Sequence, residues 1–371
     1  MNQPDPPEVI EQIAAYLHVS PDQIKCVPIR HGTLERNNVW RLNAAGRIYL
    51  LKQHLITQPV GESTFTPFQI ETAVLLRLHQ AGYPVPELHW WSESARCMLI
   101  EWCGDTTLDD LAQETPIDDL KQVVQNTIRA FCQLEEGFAK TAHALNPYIY
   151  PLDYSVFLQD MLQTLLDQGR KTLDYLAWMR GEAMTSNQAA TLDSVWERMS
   201  NCLHRATPTL GTLDYNARNI VVDGSTPTFI DFGSIGWDWG ERRLVQSLNS
   251  LGANRTNGNF VSLLDQAIVK EYAGRVAEHR EDCSETEIAA QIDYHQLLFY
   301  LSIVHRLFQS TAQPEAAESK ATLQAWGDPK ARFQDALALL TDSHLSEDAD
   351  AAHIRELIAT FRAASRENSN C

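Results

Sequence analysis

The stretch Leu210-Gly-Thr-Leu-Asp-Tyr-Asn-Ala-Arg-Asn-Ile-Val-Val-Asp223, followed after a turn by Thr228-Phe-Ile-Asp-Phe-Gly233, decides how this chain is read. Ile220-Val-Val and Thr228-Phe-Ile are short branched and aromatic runs, and Asp223-Gly-Ser-Thr-Pro between them is turn chemistry. The segment therefore predicts a β-hairpin. Such a hairpin puts Asn219 and Asp231 side by side at its open end, with Asp214 on the loop just before. Two carboxylates and an amide oxygen are hard oxygen donors of the kind magnesium takes. Phosphoryl transfer asks a protein mainly for positioning and charge neutralisation, which such a trio supplies. The same residues also suit an ordinary surface hairpin, whose loops favour Asp and Asn. An Asp and an Asn five apart are common by chance. On the hairpin alone both accounts stand, and the rest of the chain decides between them.

At 371 residues the chain is long enough for a large core, and two lobes are the expected organisation. A hydrophobic content of 44% with nine tryptophans excludes a disordered protein. The formal net charge of −18 argues against nucleic acid and against a membrane surface as partners, since both are bound by basic patches. It suits a cationic small substrate, although acidic surfaces also serve solubility. No apolar run approaches the roughly 20 residues of a membrane span. The start, Met-Asn-Gln-Pro-Asp-Pro-Pro-Glu, lacks the basic and apolar regions of a signal peptide. Seven cysteines, scattered from Cys26 to Cys371 without CxxC spacing, fit reduced thiols and offer no structural zinc site. A cytoplasmic location is expected.

Residues 1–100 are strand-rich. An amphipathic helix over 8–18 precedes Cys26-Val-Pro-Ile-Arg, Asn38-Val-Trp-Arg-Leu and Ile48-Tyr-Leu-Leu-Lys, with Ala44-Ala-Gly-Arg as a tight turn between the last two. Residues 68–79 have helical apolar spacing, and Gly82-Tyr-Pro-Val-Pro ends that helix. Glu87-Leu-His-Trp-Trp and Cys97-Met-Leu-Ile-Glu-Trp complete a predicted five-stranded antiparallel sheet. From Thr106 the chain turns helical, interrupted only by the hairpin. Helices are expected over 107–114, 117–136, 153–168, 170–182, 187–205, 240–252, 258–274, 285–311, 316–340 and 349–365. The predicted class is α+β and bilobal: an N-lobe of antiparallel sheet over 1–100, a hinge over 101–105 and a larger, mostly helical C-lobe over 106–371. A cleft lies between the lobes.

A metal–phosphate site in that cleft also needs a cation on a small-lobe strand and a carboxylate to aim it. Lys52 ends the strand Ile48-Tyr-Leu-Leu, and Glu71 lies in the first turns of the small lobe's helix. An ammonium among phosphates neutralises their charge, and a carboxylate steadies its flexible stem. Taken singly, Lys52 is better read as a strand-end lysine that solvates an edge, and Glu71 as a helix-surface acid. Their order ahead of the hairpin favours the paired account.

These segments resemble the aminoglycoside phosphotransferase and choline kinase family, small-molecule kinases with a protein-kinase-like fold. The resemblance runs from about His31 to Phe308. It is carried by Asn38-Val-Trp-Arg-Leu and by Glu71 with the following Leu-Leu-Arg-Leu-His-Gln-Ala-Gly-Tyr-Pro-Val-Pro. Met98-Leu-Ile-Glu-Trp-Cys-Gly-Asp-Thr-Thr-Leu is similar to the family's interlobe linker, and Asp214, Asn219, Asp231 and Phe232 to its active-site segment. It implies transfer of the γ-phosphoryl group of ATP, or of GTP, to a hydroxyl of a small-molecule acceptor, with Mg2+ as the metal. On that resemblance Lys52 binds the α and β phosphates and Glu71 pairs with it. Asp214 is the catalytic residue that orients the acceptor hydroxyl, and Asn219 and Asp231 hold magnesium. The backbone of Glu101, Trp102 and Cys103 meets the adenine edge. The loop His31-Gly-Thr-Leu-Glu-Arg-Asn, with Gly32 and Thr33, covers the phosphates. A monomer or homodimer is expected.

Two positions depart from the family pattern. Thr212 stands where the catalytic loop usually opens with a histidine that braces it; a threonine hydroxyl supplies part of that bracing. Arg243 stands where an aspartate usually opens a helix and braces the same loop, leaving Asp238 or Glu241 as replacements. A catalytically silent nucleotide-binding scaffold is the alternative these departures motivate. Transfer to protein side chains is a further one, disfavoured by the lack of a recognisable activation segment. Trp237, Asp238, Trp239 and Glu241 follow Asp231 closely and are expected at the mouth of the acceptor pocket. Aromatic faces beside carboxylates there favour an organic cation, such as an amino- or guanidino-alcohol or an aminoglycoside-like compound. The acids of 101–120 (Glu101, Asp105, Asp109, Asp110, Glu114, Asp118, Asp119) are expected along one cleft wall. Core tryptophans and helix-start acids that complement the dipole are the plain alternatives. His305 is expected as a core histidine.

Overall fold

The structure is a computed structural model that describes residues 9–29, 37–61, 63–149, 154–179, 184–250, 260–280, 283–313, 315–317, 319–320 and 329–367. Its amino-terminal sheet holds β1 (Lys25–Pro28), β2 (Asn37–Ala44), β3 (Arg47–His54), β4 (Leu88–Ser92) and β5 (Cys97–Glu101), antiparallel in the order β1-β2-β3-β5-β4. Ala45 and Gly46 join β2 to β3 with φ of 50° and 77°, the two-residue turn whose twist matches the strands.

Alternation along these strands sets what each face meets. Trp40, Leu42, Leu51, Cys97 and Leu99 bury one face against Ile13 of α1 (Ile10–Leu17). Met98 and Ile100 bury the other face against α2 (Pro67–Gln80), through Phe68, Ile70, Val74, Leu75 and Leu78. Lys52 is one position from Leu51 and pairs with Met98 in register, so its side chain emerges on the α2 face. Helix α2 starts where its chemistry says it should: Thr66 and Gln69 form a capping box and Pro67 occupies the first turn. That start places Glu71 one turn in, with the lysine strand beneath it.

Past Glu101 the chain is mostly helical. It runs through α3 (Leu108–Glu114), α4 (Lys121–Leu145), α5 (Tyr154–Met179), α6 (Ser186–Arg205), α7 (Gly240–Leu248), α8 (Gln266–Ala277), α9 (Glu285–Ala312), α10 (Pro329–Asp342) and α11 (Ala349–Glu367). The strands β7 (Ile220–Asp223) and β8 (Thr226–Phe229) form the expected hairpin. One hydrophobic cluster joins α2, β5, α4, the hairpin and α7–α8, so the sheet and the helical part share a core around the hairpin. A second cluster packs α5, α6, α9, α10 and α11 together.

Several elements differ from expectation. The spans 153–168 and 170–182 are one helix, α5. Gly169 does not break it; a Cβ there would lie 2.9 Å from the Trp196 ring, so the glycine makes room for packing. The span 117–136 is a short 3-10 turn, Ile117–Leu120, followed by α4, which runs on to Leu145. A two-stranded ribbon of β6 (Thr209–Thr212) and β9 (Ile235–Asp238) flanks the hairpin; each strand is short and contains glycine, which hid it in the sequence. Helix α7 stops at Leu248, and Asn249–Ser250 (β10) pairs with Val261–Ser262 (β11). Helix α8 begins only at Gln266, where Asp265 caps it. No helix among the described residues is long and apolar enough to cross a membrane.

Candidate active site

The side chains of Lys52, Glu71 and Asp231 meet. Lys52 Nζ donates to both carboxylate oxygens of Glu71, at 2.9 and 2.7 Å, and to Oδ1 of Asp231 at 2.9 Å. His54 Nε2 lies 2.9 Å from Glu71 Oε2. Lys52 is 6% exposed and Glu71 1%. Burial alone would push Lys52 towards neutrality, but the charges of Asp231 and Glu71 override it and raise its pKa, so the cation persists. Burial likewise works to raise Glu71, yet the Lys52 charge and the neighbouring His54 imidazole hold its carboxyl at about 2. The result is a buried ammonium steadied from two sides, with the more exposed carboxylate, Asp231, on the outer side.

The hairpin brings Asp231 to that cation and Asn219 beside the Asp231 segment. Ile230 N donates to the Asn219 carbonyl at 2.9 Å, which extends the β7–β8 pairing by one step and sets Asn219 beside the start of the Asp231 segment. Asn219 Nδ2 donates to the Asp214 carbonyl at 2.9 Å, which leaves the amide oxygen for another partner. Asp231 has φ of 68°, a left-handed conformation that costs a non-glycine residue energy and clusters at functional sites. Among the described residues the other such non-glycine positions, His18, Ala45 and Arg96, end a helix or sit in turns between paired strands. Asp214 is exposed, and its Oδ1 accepts a hydrogen bond from Asn216 Nδ2 at 2.9 Å.

The loop that carries Asp214 is braced at both departing positions. Thr212, 3% exposed, donates from Oγ1 to the Ser234 carbonyl at 3.2 Å and accepts from Asp214 N at 3.3 Å. The hydroxyl thus bridges the Asp214 loop to the segment after Asp231. At the second position neither Asp238 nor Glu241 substitutes for the missing carboxylate. Arg243 itself is fully buried and pairs with Glu135 of α4, from Nη2 to Oε2 at 2.5 Å and from Nε to Oε1 at 3.0 Å. Burial opposes its charge, but Glu135 outweighs that and raises its pKa. Sequence reasoning missed Glu135; its neighbour Glu136 is the same residue type and pairs with Lys140 on the surface.

Glu101 ends β5 and is exposed; its backbone N–H donates to the Glu87 carbonyl at 2.9 Å. Cys103 Sγ donates to the Glu101 carbonyl at 3.7 Å, and burial together with the Glu101 charge pushes the thiol up to about 12. Trp102 is half-buried beneath the Arg41 guanidinium, 4.9 Å from its ring centre, and Arg41 pairs with Asp105 at 3.0 Å. Gly32 and Thr33 lie outside the described residues.

Three of the four side chains expected at the acceptor pocket are buried. Trp237 is half-buried between the two hydrophobic clusters. Trp239 is 4% exposed and donates from Nε1 to the Ala206 carbonyl at 3.1 Å. Asp238 is 2% exposed, accepts from Trp239 N at 2.8 Å and pairs with Arg242. Glu241 is fully buried against Arg280 at 2.8 Å. Three of these four side chains complete the fold at the start of α7, because a helix that turns inward buries its first turn with its own counter-ions. Of the acids of 101–120, four are otherwise engaged: Asp105 pairs with Arg41, Asp110 accepts from Thr107 N in the capping box of α3, Asp109 is buried, and Asp118 pairs with Lys121 in solvent. His305 is only half-buried, whereas His54 and His295 are buried, at 2% and 3% exposed.

The donor set fits a divalent ion held jointly with phosphate. Among the described residues no group of three or more His, Cys, Asp or Glu side chains gathers to hold a metal. Asn219 and Asp231 offer two hard oxygen ligands, the number magnesium usually takes from protein when phosphate and water supply the rest.

The sequence model of the Phosphotransferase enzyme family matches residues 25–277. No curated protein sequence matches the chain. Among solved structures it is similar to a choline kinase from Cryptosporidium parvum, at 7% identity over 98% of this chain and 94% of the other, with a TM-score of 0.47. It is also similar to the amicoumacin kinase hAmiN in complex with AMP-PNP, Ca2+ and Ami, at 12% identity over 94% and 97% of the two chains and a TM-score of 0.46. A third likeness is spectinomycin phosphotransferase APH(9)-Ia in complex with ADP and spectinomycin, at 12% identity over 91% and 93%, with a TM-score of 0.43.

Proposed function

The chain belongs to the phosphotransferase enzyme family, and from that premise we propose that it moves the γ-phosphoryl group of ATP to a hydroxyl of a small molecule. The observation that carries the reading is the three-way contact of Lys52 with Glu71 and Asp231. A buried ammonium set between a fully buried carboxylate and a partly exposed one has little other use, since such a pair adds little net stability. In this reading Lys52 meets the α and β phosphates while Glu71 keeps it aimed. Asn219 and Asp231 hold magnesium, which when bound neutralises charge on the phosphate oxygens. The backbone of Glu101 to Cys103 takes the adenine edge, in a hinge over 101–105 between lobes of 1–100 and 106–371.

Asp214 aligns the acceptor hydroxyl and accepts its proton late. An aspartate with an ordinary pKa near 3.9 is a weak base, which suits a loose transition state. The burial of Asp238, Trp239 and Glu241 removes their support for a cationic acceptor and leaves the net charge of −18 as the argument for one, so the acceptor class is a small hydroxylated molecule. The silent-scaffold alternative rested on Thr212 and Arg243, and both hold the catalytic loop by hydrogen bonds. The test is incubation with ATP labelled at the γ position and magnesium, against a panel of hydroxylated amines, sugars and antibiotics beside a protein extract. Label on a small molecule supports the reading. Label on protein alone, or tight Mg·ATP binding with no transfer to any acceptor or to water, overturns it.

A further inference from the structure

Residues 209–215 are the strand and loop that present Asp214, and both ends of that segment close on one carboxylate. At the front, Thr209 Oγ1 donates to Glu135 Oε2 at 2.7 Å; at the back, the Tyr215 hydroxyl donates to Glu135 Oε1 at 3.0 Å. The Tyr215 ring is 5% exposed and packs edge-on against Phe131, also of α4, at 5.5 Å. Arg243 holds Glu135 with a two-pronged contact and donates from Nη1 to the carbonyls of Thr209 at 2.9 Å and Asp238 at 3.2 Å. One guanidinium therefore grips both strands of the β6–β9 ribbon. Between the anchors Gly211 passes so close that a Cβ would lie 2.8 Å from Arg243 Cζ and from the Tyr215 oxygen.

We infer that Glu135 and Arg243 are positioning residues for Asp214, a buried ion pair that fixes the path of segment 209–215 and with it the place of the acceptor-orienting carboxylate. The inference rests on the reading of Asp214 given above. At position 243, where the family usually has an aspartate, the brace is instead a cation on α7 paired with a carboxylate on α4. Thr209 and Tyr215 each give their hydroxyl proton to the Glu135 carboxylate, and Thr209 Oγ1 also accepts from Arg243 Nη2, so both members of the pair hold the segment. A buried pair of this kind contributes little net stability, which leaves conformational definition as its physical effect. Misplacement of a reacting group by about 1 Å costs on the order of 100-fold in rate.

The test uses the full chain with Glu135→Gln and with Tyr215→Phe, the second losing one hydroxyl and no packing. Backbone amide hydrogen exchange over 210–219 is expected to rise by about tenfold or more in both, with β3 and α2 unchanged. Turnover of Mg·ATP, with water as acceptor where no other is known, is expected to fall about 10- to 100-fold at unchanged KM for ATP. Unchanged exchange over 210–219 in Tyr215→Phe, or a rise spread evenly over the chain, overturns the inference. Absence of turnover in the wild type would count against the phosphoryl-transfer reading, while the exchange data alone still decide whether the pair fixes the loop.

Discussion

Lys52 and Asp231 are 179 positions apart in the chain, yet Lys52 Nζ donates to Asp231 Oδ1 at 2.9 Å while holding both oxygens of Glu71. The contact closes the amino-terminal sheet against the open end of the β7–β8 hairpin. It makes one ammonium the common counter-ion of a structural carboxylate and of a proposed metal ligand.

Removing that cation should damage the fold as well as the chemistry. In Lys52→Met the Glu71 carboxylate, 1% exposed, loses its main partner. A stability loss of about 3–5 kcal/mol is expected from an uncompensated buried charge. Urea unfolding at neutral pH measures it; wild-type stability would mean that Glu71 is solvated by something other than Lys52.

Asp214→Asn should separate binding from transfer. Turnover is expected to drop by roughly 10²–10⁴, with Mg·ATP affinity kept, because Lys52, Asn219 and Asp231 remain. Isothermal titration with ATP and steady-state kinetics give the two numbers. Near-normal turnover would remove Asp214 from the mechanism.

Thr212→Val deletes the hydroxyl that joins Asp214 N to the Ser234 carbonyl. The loss of such a hydrogen bond costs about 1 kcal/mol, and turnover is expected to fall by roughly tenfold with the KM for ATP unmoved. Thr212→Ser keeps the hydroxyl and should restore most of the rate. Equal rates in the valine and serine variants would show that the bridge has no part in catalysis.

Stability should fall with acid in two stages. Burial, with Arg242 nearby, depresses His295 from an ordinary 6.5 to about 3 in the folded chain. The unfolded chain takes up that proton first, so the contribution of neutral His295 is complete above pH 6.5 and is lost as pH falls towards 3. Glu71, held at about 2 against an ordinary 4.5, adds a second loss between those values. Urea midpoints measured from about pH 8 down to 4 should slope downwards below about 6.5, and His295→Gln should flatten that upper part. A wild-type profile already flat there would show that His295 is protonated in the fold without cost.

Elements with local signals were legible from the residues. The alternation in 38–42 and 48–52, the Ala45–Gly46 turn and the hairpin turn after Asp223 each depend on neighbours a few positions away. The order of Lys52, Glu71, Asp214, Asn219 and Asp231 was visible for the same reason. Where a residue has two uses, the signal failed: Gly169 has the mark of a helix break and serves as clearance for Trp196.

The sequence alone determined which residue types stand at each turn, cap and strand, because backbone conformation is selected by short-range sterics and hydrogen bonding. Only the tertiary structure decided what those side chains face. Asp238, Trp239 and Glu241 have the composition of a binding pocket but are sealed into the start of α7. Glu135 carries no mark that Glu136 lacks, yet it meets Thr209 from 74 positions away and Arg243 from 108. Burial and charge pairing are set where distant segments pack, and the phase of a helix against its neighbour is written in no single stretch of chain.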